Sequence, residues 1–86
     1  MIDLNMTGSY RVHITVKPSD IIYLNGLLDS YEGMGIMRTE NELAGKITIY
    51  STAGYENVLA KFLKSLQKEG LWLTVNSTDY NDELYR

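Results

Sequence analysis

Residues 10–31 read YRVHITVKPSDIIYLNGLLDSY, and the change of hydrophobic period inside this stretch decides the fold. Tyr10, Val12, Ile14 and Val16 alternate with Arg11, His13, Thr15 and Lys17, the two-residue period of a half-buried strand. Pro18 ends that strand by holding Lys17 extended, and Ser19 or Asp20 is placed to cap a helix. Ile21, Leu24, Leu28 and Tyr31 then recur at helical spacing, with Ile22 and Leu27 widening the stripe. Gly26 lies inside this helix, where it costs roughly 1 kcal/mol relative to Ala, and reads as a point of close helix-to-sheet packing. Gly33 reads as the left-handed stop.

Outward from that unit the two periods return. Met34 to Glu40 predicts a short strand, Asn41 to Gly45 a hairpin loop, and Lys46 to Ser51 the returning strand. A second helical stripe starts around Tyr55 and buries Val58, Leu59, Phe62, Leu63 and Leu66; Lys68 suits its last turn and Gly70 closes it. Leu71, Leu73 and Val75 alternate once more. The order βαββαβ is the ferredoxin-like split βαβ motif, an α+β sandwich with a four-stranded antiparallel sheet and two helices on one face.

The 86 residues hold one domain. Residues 1–8 form a polar lead, 9–76 the ferredoxin-like domain and 77–86 an acidic tail. Folding a chain of this mass buries roughly 9,000 Å², a modest core that self-association would help. The net charge of −3 and pI near 4.9 disfavour nucleic acid, whose non-specific binding draws on surplus Lys and Arg. Cys is absent, which removes disulfides, thiolate nucleophiles and thiolate metal ligands. No apolar run approaches a membrane span and no signal sequence opens the chain, so a cytoplasmic protein is expected.

With both helices on one face, the alternation sorts the strands. Val12, Ile14, Val16, Ile36, Ile47, Ile49, Leu71, Leu73 and Val75 are expected to face the helices. Arg11, His13, Thr15, Met37, Thr39, Thr48, Tyr50, Trp72 and Thr74 fall on the open face. There Tyr50, Trp72 and Met37 predict an apolar patch of the kind that marks a partner surface, with His13 beside it. These four are the expected interface residues.

No motif carries chemistry. A single His cannot build a multi-His metal site, and Glu40, Glu42 and Asp79 lack ligand spacing. There is no Gly-x-Ser-x-Gly elbow, Walker pattern or Gly-x-Gly-x-x-Gly. Gly33-Met34-Gly35 follows a helix instead of opening one, the reverse of a phosphate cradle. Only Tyr50 offers a base a stacking platform on the central strands, without an RNP-like run. No cofactor, metal or catalytic residue is assigned.

Asp20-Ile21-Ile22-Tyr23-Leu24, then Tyr31-Glu32-Gly33, then Arg38-Thr39 resembles a family of small bacterial proteins known only as a domain of unknown function, over about residues 10 to 76. The resemblance implies a stand-alone ferredoxin-like domain without an assigned activity. More loosely, the strand and helix order is similar to the ACT regulatory domains, which bind amino acids between subunits near the turn that here is Lys17-Pro18-Ser19-Asp20-Ile21; the turn glycine typical there is missing. For such a sensor the candidate ligand residues are Ser19 and Asp20 in that turn with Glu32 and Arg38, although for Arg38 a surface or intersubunit ion pair, as with Glu32 or Glu40, is the favoured reading.

The expected function is a non-enzymatic interaction or regulatory module that self-associates, as a dimer, through the open sheet face or an edge strand. The alternatives are an ACT-like sensor of an amino acid or other carboxylate, and an enzyme using His13 or Arg38 at a dimer interface.

Overall fold

A computed structural model describes residues 9–31 and 34–81. The elements are β1 (Ser9–Val16), a 3-10 turn (Pro18–Asp20), α1 (Ile21–Asp29), β2 (Ile36–Asn41), β3 (Lys46–Thr52), α2 (Glu56–Lys68) and β4 (Leu73–Asn81). The four strands form one antiparallel sheet in the order β2-β3-β1-β4, the α+β arrangement expected of a ferredoxin-like fold.

Val12, Ile14 and Val16 from β1, Ile47 and Ile49 from β3, and Leu73 from β4 meet Leu24 and Leu28 of α1 and Leu59, Phe62, Leu63 and Leu66 of α2 in one buried core. Tyr31 lies edge-on to Phe62, ring centroids 5.2 Å apart, but remains about half exposed. Val58, expected inside, is 48% exposed because it faces away from the sheet on α2.

Neither Ser19 nor Asp20 caps α1 with its side chain. Pro18 starts a 3-10 turn instead, closed by the Asp20 amide donating to the Lys17 carbonyl at 2.8 Å. The stop read at Gly33 lies outside the described residues. Gly26 does not mediate close packing: a Cβ built there meets nothing within 4 Å.

Two strands depart from the expected pattern. In β2, Met37 pairs with Ile49 and Thr39 with Ile47, whereas Ile36 pairs with Tyr50 and Arg38 with Thr48. Directly paired residues share a face. Met37 therefore lies on the helix side, packed against the core, and Ile36 is on the open side at 69% exposure. Ile36 and Met37 are adjacent and both apolar, so hydropathy alone does not choose between them. The register does, with Gly35 pressed so closely on β3 that a Cβ would stand 2.5 Å from the Tyr50 carbonyl oxygen.

β4, for its part, continues to Asn81 through residues assigned to the acidic tail. Ile14 pairs with Val75 but His13 with Ser77, so Asn76 is an extra residue, a β-bulge that reverses the phase of the strand. Val75 keeps to the helix side yet is 46% exposed beside α2.

Two glycine substitutions test this description in opposite directions. Gly26→Ala is expected to stabilise the fold by about 0.5–1 kcal/mol and raise Tm by several degrees, since it adds helix propensity and meets no neighbour. Gly45→Ala is expected to cost more than about 1 kcal/mol, because Gly45 has φ +70° and its Cβ would stand 1.8 Å from the Val16 carbonyl oxygen. Thermal unfolding followed by circular dichroism measures both.

Candidate functional site

The open face is built in rows across the strands. One row is Ile36, Tyr50, Arg11 and Asp79; the next is Arg38, Thr48, His13 and Ser77. Side chains tie the two rows together. The Arg11 Nε donates to Asp79 Oδ1 at 2.6 Å, and His13 Nε2 lies 3.0 Å from Asp79 Oδ2. The other ring nitrogen, His13 Nδ1, is 3.0 Å from Thr48 Oγ1. One carboxylate thus joins two strands through two different partners.

Asp79 reaches this position because of the bulge. Were the ladder to run on from Ile14–Val75 without the bulge, with Asn76 paired to His13, Thr78 would stand opposite Arg11 and the carboxylate would turn to the helix side. Asn76 itself is held by donating from Nδ2 to Thr15 Oγ1 at 2.8 Å. Sequence reading placed Asp79 in a tail and so missed the hub. The signal was present as a phase change, with Leu73 and Val75 giving way to Thr78 and Tyr80.

The Arg11 hydrogen bond, reinforced by His13, holds the Asp79 carboxyl below its ordinary value of 3.8. The same hydrogen bond raises the Arg11 guanidinium above its usual range. A second anchor lies on the helix side of the same strand end. The Tyr80 hydroxyl donates to Glu56 Oε2, lowering the Glu56 carboxyl and raising the Tyr80 phenol, and the Tyr80 ring tilts against Tyr10 at 5.1 Å.

His13, Asp79 and Thr48 have the connectivity of a carboxylate–imidazole–hydroxyl relay, but the surroundings favour a clamp. Thr48 is only 1% exposed, roofed over on the open face by its neighbours, so its hydroxyl offers no approach to a substrate. Both imidazole nitrogens are engaged. A neutral ring donates to Asp79 and accepts from Thr48, whereas a protonated ring donates to both.

The expected interface set does not assemble as one patch. Met37 is on the covered face. Tyr50 stands in the Arg11 row, while Trp72, half exposed, precedes β4 beyond the Thr15–Thr74 pair, at the opposite end of the face. His13 lies between them within the polar clamp. The expected ligand set is also divided. Ser19 and Asp20 sit in the 3-10 turn on the helix side, Arg38 is on the open side of β2, and Glu32 lies outside the described residues. Asp20 instead lines a cleft of about 320 Å³ with Lys17, Tyr23, Leu66, Glu69, Gly70 and Leu71, between the start of α1 and the end of α2. Among the described residues no three His, Asp or Glu side chains converge on a common point. Among the described residues no helix is long and apolar enough to cross a membrane.

Asp79 sets an acid limb of stability. Its folded pKa is below the unfolded one, so its contribution is complete above about pH 5 and is lost as pH falls through 3.8 and then through the folded value. Asp79→Asn is expected to lower stability at neutral pH by about 1 kcal/mol and to weaken this acid-side loss, as read by urea unfolding across the range. Equal pH slopes for the two proteins would remove the clamp from the account.

No curated protein and no solved structure matches the chain. The family model of the domain of unknown function DUF4911 matches residues 14–69, well over half of the sequence, from within β1 to just past α2. Arg11, His13 and Asp79 flank the matched segment. The chain belongs to the family of the domain of unknown function DUF4911.

Proposed function

We propose that the chain is a non-enzymatic interaction module that self-associates. The observation that carries this reading is the outer edge of β4. It is a nine-residue strand at the end of the sheet, and a terminal strand presents a row of backbone groups ready to pair with another chain. Natural edges are commonly blunted by Lys, Pro, inward-pointing charge or a β-bulge; β4 has one bulge, at Asn76, and five residues beyond it. β4, with sequence LTVNSTDYN, carries no Lys, Arg or Pro, and its single charge is turned across the open face to Arg11 and His13. The β2 edge differs, since Arg38 and Glu40 interrupt it within six residues. The enclosed Thr48 and the doubly bonded His13 favour this reading over catalysis.

Sedimentation equilibrium over a wide concentration range tests it. A reversible dimer is the expected result; a monomer at every concentration would sink the proposal.

The cleft beside Lys17, Asp20 and Glu69 favours a second reading, a sensor for a small zwitterion. Lys17 would meet a carboxylate, an acidic side chain an ammonium, and Leu66 and Leu71 an apolar stem. Thermal-shift screening against amino acids is the check. A ligand at 100 times its dissociation constant adds ~2.7 kcal/mol, enough to move Tm by roughly 10–20 °C, and no shift across the set would exclude this reading.

A further inference from the structure

We infer that two copies of this chain join edge to edge through the end of β4, about a two-fold axis near Thr78, so that the two sheets become one of eight strands and the two α2 helices lie antiparallel across the seam. The inference rests on the self-association reading above and specifies its surface.

Three observations select a second copy as the occupant. The first is the groove beside this edge, about 210 Å³ on the helix side between α2 and β4, with Val12, Leu59, Leu63 and Val75 in its walls. A bare peptide strand added to β4 would extend the sheet but leave this groove open. A strand carrying its own packed helix would close it, and a copy of this chain is such a unit.

The second is the charge order along α2. Its first turn carries Glu56, and Lys64 and Lys68 follow towards its C-terminal end. Antiparallel packing about a two-fold sets the acidic start of each helix towards the basic stretch of the other, which also opposes the two helix dipoles favourably. Ala60, exposed and lining the same groove as Thr78, is small enough for the helices to approach at the axis.

The third is the chemistry of the strand past the bulge. Asn76 bends the edge, so the straight segment available for pairing is Ser77–Asn81. Centring the ladder on Thr78 places Ser77 of one copy opposite Asp79 of the other, with Tyr80 and Asn81 falling beside the bulge of the other copy; centring on Asp79, the midpoint of the segment, would instead set the two carboxylates face to face. Thr78 meets its own counterpart, a favourable hydroxyl pair. No like charges face each other directly along this register.

The chain contains no Cys, so a single introduced thiol is unambiguous. In antiparallel strands directly opposed Cα atoms are about 4.5–5.5 Å apart, within disulfide range. Thr78→Cys is expected to give a covalent dimer on mild oxidation, while Thr74→Cys, on the same strand but off the axis, is expected to give little. Ala60→Glu is expected to raise the dimer dissociation constant roughly tenfold or more, with the monomer's circular dichroism unchanged. If Ala60→Glu fails to fold, the cysteine pair decides alone. A wild-type monomer overturns both this inference and the reading beneath it. A wild-type dimer that survives Ala60→Glu, cross-links no better at Thr78 than at Thr74 and dissociates on Arg38→Glu places the interface on the open face; self-association then stands and the β4 axis is overturned.

Discussion

The extra residue in β4, set against the His13–Ile14 step of β1, is the constraint on which the polar architecture depends. Upstream of it β4 is an ordinary core strand, with Leu73 buried against Val16. Downstream, none of Ser77 to Tyr80 is buried, and the strand is held to β1 by its backbone ladder and by two side chains pointing to opposite faces. Asp79 fastens the open side and Tyr80 the helix side. By leaving Asn76 unpaired, the bulge shifts the register by one residue, so that a carboxylate a regular ladder would aim at the helices bridges Arg11 and His13.

The arrangement also explains why the open face is polar at its centre. A four-stranded sheet with helices on one side leaves the middle of its other side half enclosed by its own side chains. Thr48 lies there at 1% exposure, and the His13 ring satisfies its hydroxyl. A buried hydroxyl without that partner would carry the cost of desolvation, so the ring and the hydroxyl fix each other. The exposed apolar groups, Ile36 and Trp72, are left at the margins instead of merging into one surface.

Much of this fold is legible in the sequence. The alternation of β1 and the apolar stripes of the helices each have one dominant period, because each buries one face and wets the other, and the core follows from them. Legibility fails where that asymmetry weakens. Ile36 and Met37 offer apolar side chains to both faces of an edge strand, so backbone register chooses between them. Val58 continues the apolar run of α2 but points away from the sheet. In β4 the period persists but its phase jumps at Asn76, and a pattern read without the bulge dissolves into an apparent tail. With it went Asp79, while Arg11 and His13 were placed on the correct face without their partner. The expected cap at Ser19 or Asp20 failed for a local reason, since Pro18 already fixes the backbone of the turn that starts α1.

The position of β1 at the centre of the sheet carries a kinetic consequence. β1 is the first of the four described strands, yet one of its two edges is completed only by β4, and the Arg11–Asp79 contact closes a sequence separation of 68 residues. Such remote pairing raises contact order, which slows folding because loop-closure entropy is lost before the contact compensates for it. During synthesis the hairpin of β2 and β3 and the first helix can form early, while β1 waits with one side unpaired until residues 73–81 emerge. The last strand to be made is the one that finishes the first.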